Sequence, residues 1–294
     1  MSTPVANLVL LLDLEELEVN IFRGRSPDED RQRVFGGQVL GQALVAAGRT
    51  VGESVGNDGA QRGPSRVHSL HAYFLRPGDP LIPILYEVER SRDGRSFTTR
   101  RVVAIQHGKQ IFHMETSFQR EEPGLEHQAA MPDAPEPEDL PTWEELVAPH
   151  RAELGPWADR ERPIDMRYCD RGEFGSRDPL PPYQRIWIRA DGSLPEDPVL
   201  HAAVVAYASD MSLLDTAVRP HGLIWSDGNF MMASLDHVMW FHRSFRADDW
   251  LLYEQESPAA AGSRGFSTGR LFDRSGCLVV SVAQEGLIRV ISST

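Results

Sequence analysis

The 294-residue chain has little cysteine, only Cys169 and Cys277, and few features that would fix a covalent or metal-based architecture. The two cysteines lie far apart and form no C-x-x-C pair, so the sequence favours neither a disulfide framework nor a thiolate metal site. No apolar run reaches the length of about 20 residues that a membrane span needs. Positive charge is also scarce. The net charge of -13 disfavours binding to nucleic acid or to an anionic membrane, although a local arginine cluster could still hold a phosphorylated ligand.

The first residues also lack the features of a secretory signal. The short apolar run Leu8–Leu12 has no cationic region before it, and acidic residues follow it at once. A signal peptide needs a positively charged segment ahead of a longer apolar core. We therefore expect a cytoplasmic protein that does not insert into a membrane.

What the sequence does contain is an internal repeat. Tyr73–Arg76 in the first half is similar to Trp240–Arg243 in the second, and each is followed at the same interval by an aromatic and acidic segment, Leu85–Glu89 or Leu252–Glu256. A repeat of this kind is typical of one supersecondary unit that has been duplicated and fused. Polar residues that occur in only one copy then need their own explanation, and they are the first candidates for a functional site.

Each copy is predicted to contain one buried helix followed by antiparallel strands. In the first copy the helix begins at Gly36-Gly37 and ends near Gly48 or Val51, and it is apolar on more than one face, which is typical of a buried helix. Turn signals rich in Gly and Pro separate four β-like segments. These segments are Val67–Arg76, Ile82–Arg90, Ser96–Gln106 and Lys109–Gln119.

The second copy repeats this plan. A strand at Tyr183–Ala190 precedes a helix that starts at Pro198, with Asp197 as its N-cap. Further β-like segments follow at Phe230–Arg243, Trp250–Glu256, Arg264–Phe272 and Leu278–Arg289. The pattern predicts an α+β fold in which an antiparallel sheet wraps one helix, twice over. The two sheets can pair edge to edge into one continuous sheet, which removes exposed edges.

The composition divides the chain into three parts. We predict an N-terminal unit at residues 1–120, a linker rich in Pro and Glu at residues 121–165, and a C-terminal unit at residues 166–294. A short helix is expected within the linker near Trp143–Val147.

Several motifs, in the same order along the chain, resemble those of the type II acyl-CoA thioesterases, the TesB-like enzymes. They are Val34–Val39, Tyr73–Asp79, Tyr207–Asp210, Leu235–His237, Met239–Arg243, Ala259–Phe266 and Gln284–Gly286. The resemblance runs from about Leu14 to Arg289, and it implies a double hotdog fold and a homo-oligomer, a dimer of double hotdogs. It also implies hydrolysis of medium- or long-chain acyl-CoA to a fatty acid and CoA. No cofactor is implied, since coenzyme A is part of the substrate.

The same resemblance places a catalytic trio in the second copy, at Asp210, Ser234 and Gln284. The family commonly has Thr where Ser234 stands, and Ser keeps the hydroxyl while losing the β-methyl group. Thioester hydrolysis needs a base that accepts a proton from the attacking water, and a carboxylate within hydrogen-bond reach can do this. Ser234 and Gln284 can hold the water, and the Gln amide can also donate to the thioester oxygen. Burial would raise the pKa of Asp210 and these hydrogen bonds would lower it, and the sequence leaves the balance open.

The trio has no match in the first copy. Thr116 stands roughly where Gln284 does, and the first helix offers Val45 or Ala46 near the place of Asp210. Each trio residue taken alone has an ordinary structural interpretation, as a helix cap or a cross-strand hydrogen-bonding group. Their confinement to one copy is what favours a catalytic role.

Substrate contacts are predicted at Gly36, Gly37, Arg95, Arg264 and Gly265. The two helix-start glycines could offer backbone N–H groups to a carbonyl or phosphate, or could serve close packing or a helix cap. The arginines lie in predicted hairpin loops and could pair with the phosphates of CoA, or could simply be solvated, and Gly265 would allow close backbone approach. No metal site is expected, because His237 and His242 are five residues apart in a strand and point to opposite faces.

Two other functions remain open from the sequence. A hotdog enoyl-CoA hydratase needs an Asp and His pair near a helix start, and residues 211–215 contain no His. A non-catalytic acyl-CoA sensor or carrier would share the fold without the hydrolysis.

Overall fold

The computed structural model describes residues 3–27, 32–52, 65–155, 158–160, 162–170, 172, 177–223 and 230–291. In chain order the strands are β1 Glu15–Glu18, β2 Ile21–Gly24, β3 Ser65–Phe74, β4 Ile84–Asp93, β5 Phe97–Gln106, β6 Lys109–Arg120, β7 Ile164–Tyr168, β8 Tyr183–Ala190, β9 Phe230–Ser234, β10 Asp236–Phe241, β11 Leu251–Ala261, β12 Arg264–Asp273 and β13 Leu278–Val290. The α-helices are α1 Pro4–Leu12, α2 Gly36–Arg49, α3 Trp143–Val147, α4 Arg151–Leu154 and α5 Pro198–Ser209. No helix within the described ranges is long and apolar enough to cross a bilayer.

One antiparallel sheet contains all thirteen of these strands. Its order is β1-β2-β4-β5-β6-β3-β10-β13-β12-β11-β8-β7, and β9 pairs with β13 beside β10. The N-terminal half of the sheet is formed by β1–β6, in the unit that contains α2, and the C-terminal half by β7–β13, in the unit that contains α5. The prediction of two helix-and-sheet units joined edge to edge in a double hotdog is therefore confirmed, and the joining strands are β3 and β10.

The predicted helix and strands of the N-terminal unit are confirmed, with strand ends that differ by at most three residues. The sequence interpretation missed α1 and the hairpin β1–β2, which extends the sheet edge at β4. Helix α1 begins at Pro4, and Thr3 is its N-cap, because the Thr3 side chain accepts the Ala6 N–H. The helix buries Val5, Leu8 and Leu12 at helical spacing. A nine-residue segment near the start of a chain was too short for its periodicity to stand out.

The C-terminal unit departs from prediction at three points. The Asp197 side chain caps α5 by accepting the Val199 N–H at 2.8 Å, as expected. Strand β7, however, was not predicted and begins inside the expected linker, and β11 extends five residues beyond the expected end at Glu256. The third departure concerns the segment Phe230–Arg243, which is two strands, because β9 and β10 pair with β13 in registers that differ by one residue on either side of Leu235. This extra residue is a β-bulge, a feature that often re-aims side chains next to active sites.

The junction of β3 and β10 carries an internal twofold relation. His71 pairs with Val238, and these residues are 167 apart, as are Tyr73 and Trp240 of the sequence repeat. The flanking pairs obey the same relation: Leu70 pairs with Met239, and Ala72 pairs with His237. The two halves of the molecule are therefore related by a local twofold axis through this strand pair.

Helices α2 and α5 pack against each other in antiparallel directions. A Cβ built on Gly41 would lie 3.0 Å from the Ala203 carbonyl oxygen, and one on Gly48 would lie 2.6 Å from Val199. A Cβ on Gly37 would collide with the Tyr207 carbonyl oxygen. Three glycines thus allow close approach of the helices. The consequence for function is that the start of α2 lies beside the end of α5.

Between the two units, the described residues 121–155, 158–160 and 162–163 include short helices. Helix α3 spans Trp143–Val147, which confirms the helix expected there, and it starts with a capping box formed by Thr142 and Glu145. Strand β7 begins at Ile164 and pairs with β8.

Candidate active site

Asp210, Ser234 and Gln284 form one hydrogen-bonded group. The Ser234 hydroxyl donates to Asp210 Oδ1 at 2.9 Å, and the Gln284 amide donates to the same oxygen at 2.6 Å. The Gln284 amide also donates to Ser234 Oγ at 2.9 Å. Three side chains from α5, β9 and β13 therefore converge although 74 residues separate the first from the last.

The Asp210 carboxylate is almost completely buried, with its side chain 4% exposed. Burial raises its pKa to about 6, against the lowering effect of hydrogen bonds from Gln284, Ser234 and the Gly37 backbone. Desolvation therefore outweighs hydrogen bonding, which settles the balance that the sequence left open. A carboxylate with this pKa is ionised at neutral pH and is a far stronger base than an ordinary aspartate.

The two glycines at the start of α2 have different relations to this carboxylate. The Gly37 N–H donates to Asp210 rather than facing a ligand. A Cβ on Gly36 would lie 2.6 Å from Asp210 Oδ2, so only glycine leaves room beside that oxygen. Ser234 and Gln284 both donate hydrogen bonds to the other oxygen, Oδ1. The oxygen Oδ2, next to Gly36, accepts no hydrogen bond from a side chain among the described residues.

The bulge at Leu235 determines which side chains face α5. Residues three apart in a regular strand point to opposite faces of the sheet. Here Ser234 reaches Asp210, and His237 also lies inside, with its side chain 0% exposed. The extra residue between them makes this possible. An unusually long β-like segment was the one sign of this bulge before the structure.

His237 supports the end of α5 and has no exposed surface. Its Nε2 lies 2.8 Å from Ser209 Oγ, and its Nδ1 lies 3.8 Å from Asp210 Oδ1. Burial lowers the pKa of His237 to about 3, so the imidazole is neutral. Asp236 points elsewhere and accepts the Glu285 N–H at 2.7 Å. Asp236 and His237 are therefore not a pair.

The carboxylate lies in the wall of a cavity of about 650 Å³, a volume within the usual range for small-molecule sites. Its lining is mainly apolar and is contributed by both units, including Val34, Phe35, Val39, Phe74, Leu75, Ile111, Phe112, Met211, Leu214, Met231 and Met232. Arg33, Arg76 and Arg160 add positive charge. Among the described residues, no group of three or more His, Cys, Asp or Glu side chains is arranged to hold a metal ion.

The structure does not bring the other three predicted contact residues to this carboxylate. Gly265 pairs with Gly286, which pairs with Ser234, and a Cβ on Gly265 would lie 2.5 Å from Ile288. This glycine therefore serves close packing two strands from Ser234. Arg264 next to it is exposed and pairs with Glu285 at 2.9 Å.

Arg95 lies in the hairpin between β4 and β5. This turn neighbours Arg120, which pairs with Ser65 at the start of β3, whereas the candidate site adjoins Phe74 at the other end of β3. A ten-residue strand spans roughly 30 Å. Within one chain, Arg95 is thus on the far side of the N-terminal unit.

The first copy holds different residues at the related positions. Asp210 is the C-cap of α5, and the C-cap of α2 is Thr50, so the counterpart of Asp210 is Thr50 rather than Val45 or Ala46. The position of the C-terminal end of α2 identifies this counterpart, and the comparison of the two copies in sequence did not locate that helix end. Thr116 pairs across the strands with Arg100, as Gln284 pairs with Ser267.

Arg100 fills the place that the trio occupies in the second copy. Its side chain is 1% exposed, and it donates from Nε to Thr50 Oγ1 at 2.8 Å. It also pairs with Asp93 at 2.5 Å. A guanidinium stays protonated in proteins, so it cannot act as a base. The two copies therefore differ in the whole hydrogen-bonded group at this position, and not only in single residues.

Comparison with known proteins identifies the family. A family model described as acyl-CoA thioesterase matches residues 161–287, and one described as acyl-CoA thioesterase N-terminal domain matches residues 25–119. Acyl-coenzyme A thioesterase 8 of Homo sapiens is 44% identical over 95% of this chain and 88% of its own. The crystal structure of an acyl-CoA thioesterase II, TesB2, from Mycobacterium marinum is 44% identical with a TM-score of 0.77, covering 98% of this chain and 99% of its own.

A more distant structure supports the fold alone. A conserved protein with a hot dog fold from Alicyclobacillus acidocaldarius is 19% identical with a TM-score of 0.73, covering 96% of this chain and 97% of its own. The matches of both family models and the identity along nearly the full length lead to one conclusion: this chain belongs to the acyl-CoA thioesterase family.

Proposed function

We propose that this enzyme hydrolyses medium- or long-chain fatty acyl-CoA by direct attack of a water molecule, with Asp210 as the base. The observation that carries the proposal is the convergence of Asp210, Ser234 and Gln284, with Asp210 and Ser234 in the wall of an apolar cavity. Water, rather than a side chain, is the nucleophile, so no covalent intermediate forms. The reaction needs no cofactor beyond the CoA that the substrate brings.

The proton transfers follow from the positions of the two Asp210 oxygens. Oδ1 accepts the hydrogen bonds from Ser234 and Gln284, which fix the carboxylate. Oδ2 accepts the proton as the water oxygen bonds to the thioester carbonyl carbon. The tetrahedral intermediate then collapses, the C–S bond breaks and CoA leaves as a thiolate. The thiolate takes up the proton, and the fatty acid remains.

The negative charge that develops on the carbonyl oxygen needs a donor other than Gln284. An amide nitrogen has two N–H groups, and those of Gln284 already bond to Asp210 and Ser234. Gly36 is the first residue of α2, where the backbone N–H has no partner within the helix. We assign the oxyanion to this N–H, where the positive end of the helix dipole adds to its effect.

The apolar lining supports a fatty acyl substrate. Each CH₂ group that leaves water contributes roughly 0.8 kcal/mol, so a cavity walled by Leu, Val, Phe and Met side chains favours longer chains. A panel of saturated acyl-CoA esters from C2 to C18, compared by kcat/KM, tests this preference. Equal kcat/KM values across the panel would contradict it.

A hydratase mechanism does not fit the position of the nearby histidine. His237 is fully buried, its Nε2 is bonded to Ser209, and it does not line the cavity. Release of free thiol on mixing the purified enzyme with palmitoyl-CoA separates the possibilities, because a hydratase or a non-catalytic carrier liberates none. A cytoplasmic location and a dimer of double hotdogs complete the proposal, and size-exclusion chromatography with light scattering tests the dimer.

A further inference from the structure

A second cavity of about 510 Å³ lies at the twofold-related position in the other half of the molecule. It is lined by Phe241–Ser244, which are 167 residues after the Phe74–Pro77 segment of the candidate active-site cavity. Val67 and His68 likewise take the places of Ser234 and Leu235. The first turn of α5 contributes to it as the first turn of α2 contributes to the other. The second cavity is therefore the internal counterpart of the first.

This second cavity lacks the catalytic trio. Val67 stands in place of Ser234, and the positions related to Asp210 and Gln284 hold Thr50 and Thr116. Arg100 is bonded to Thr50, and the Thr116 hydroxyl donates to the Ser69 carbonyl oxygen at 3.0 Å. A ligand held here would therefore meet no counterpart of the carboxylate, hydroxyl and amide group of the candidate active site.

The charges around the second cavity indicate what it can hold. Four arginines and four glutamates line it, so it offers no excess positive charge to a polyanion such as the phosphates of CoA. Arg243 pairs with Glu126 at 3.6 Å, and Arg246 pairs with Glu196 at 2.9 Å. The Arg66 side chain makes no ion pair or hydrogen bond with any residue that the structure describes. One guanidinium is thus available for one anionic group.

A buried imidazole in the same wall supplies a neutral donor. His201 is 5% exposed, and its Nδ1 accepts the Ala247 N–H at 2.9 Å. Burial lowers the pKa of His201, so the ring is neutral and its proton sits on Nε2. Within the described residues Nε2 has no hydrogen-bond partner. A buried donor without an acceptor costs free energy that a ligand oxygen would relieve.

We propose that the second cavity is a non-hydrolytic binding site for a fatty carboxylate, held by Arg66 and His201 at its acid group. Its alkyl chain lies against Val67, Val199, Phe241 and Phe245. A fatty acid matches the single free guanidinium and the apolar wall, and it is also the product class of the proposed reaction. The binding itself does not depend on turnover.

The test uses [1-¹³C]decanoate, below its micelle concentration, with the full-length protein. Carboxyl resonances and calorimetry should show two sites per chain. Leu75 and His242 occupy equivalent positions in the two cavities and are both exposed, so Leu75→Trp and His242→Trp form a matched pair. Each should remove one site, and the double variant should bind none. Arg66→Gln should weaken the site that His242→Trp removes by at least about tenfold, the usual effect of losing a charge-assisted hydrogen bond.

The outcomes separate this site from the proposed activity. A single site, removed by Leu75→Trp and insensitive to both His242→Trp and Arg66→Gln, overturns the inference. A site that responds to His242→Trp and Arg66→Gln while Leu75→Trp has no effect supports it, and it counts instead against the first cavity as the acyl site. Ser244→Trp, at another exposed position of the second cavity, repeats the block in case His242→Trp fails to fold.

Discussion

Replacing Asp210 by Asn should abolish hydrolysis and stabilise the protein at the same time. Asn has nearly the same shape, and its side-chain oxygen can still accept the hydrogen bonds that Ser234 and Gln284 donate. It cannot accept the proton of the attacking water. Loss of a general base typically lowers the rate by roughly 10²–10⁴-fold.

The expected gain in stability follows from the pKa of the buried carboxyl. The pKa rises from 3.8 to about 6 on folding. The folded state therefore binds this proton more tightly, so the stabilising contribution is complete below pH 3.8 and is lost as the pH rises through 6. A difference of about 2 units corresponds to about 3 kcal/mol, which the ionised wild type lacks above about pH 7. The Asn variant has no such loss.

Thermal and urea unfolding of both proteins between about pH 4 and pH 8 measure this difference. The two free energies of unfolding should be similar near pH 4 and should diverge as the pH rises, with the variant more stable. Asp236→Asn is the control for activity, because that carboxylate lies nearby but accepts the Glu285 N–H and makes no hydrogen bond to the trio. It should keep turnover. A wild type that is as stable as Asp210→Asn at pH 8 would refute the reasoning about desolvation, whatever the activity.

Other predictions follow from the same geometry. For the wild type, kcat/KM should fall on the acid side with a midpoint near pH 6, the pKa of Asp210, and a flat profile down to pH 4.5 would contradict this base. In pH–rate measurements, Ser234→Ala should move that midpoint to higher pH, since it removes a hydrogen bond that lowers the pKa of Asp210, and Gln284→Leu should move it further. Ser234→Thr keeps the hydroxyl, so it should leave the midpoint near the wild-type value. Gly36→Ala should lower kcat with little change in melting temperature, because its methyl group meets Asp210 Oδ2, whereas Gly37→Ala should lower the melting temperature, because its methyl group meets the backbone of α5. Equal effects of the two glycine variants on both quantities would argue against separate roles.

The sequence was sufficient for the central helices and for most strands. The duplicated motifs and alternating segments predicted α2, α5 and those strands, since such elements are set by local periodicity, whereas α1, α4, β1, β2 and β7 were missed. The resemblance to the type II acyl-CoA thioesterases identified Asp210, Ser234 and Gln284, and their lack of a match in the first copy supported the choice; the structure brings the three into contact.

What the sequence did not reveal depends on contacts between distant segments. The bulge at Leu235 is a register shift, and register is set by partners rather than by local pattern. The counterpart of Asp210 was misplaced by several residues because helix ends are poorly marked in sequence. Arg95 was chosen by its charge and loop position, which carry no information about which end of the sheet a hairpin reaches. The sequence also could not show that both N–H groups of the Gln284 amide are already bonded to Asp210 and Ser234.

The hydrogen bond from Gly37 to Asp210 joins the two units at the reacting carboxylate. A C-terminal unit produced alone would carry every side chain of the trio. It would still lack the Gly37 N–H donor, and the room that Gly36 leaves beside the carboxylate, which the N-terminal unit supplies. Two fragments divided within residues 121–163 should each be inert and should recover activity only when mixed and reassembled. The thioesterase activity recovered on mixing the fragments would thus measure the docking of the two units directly.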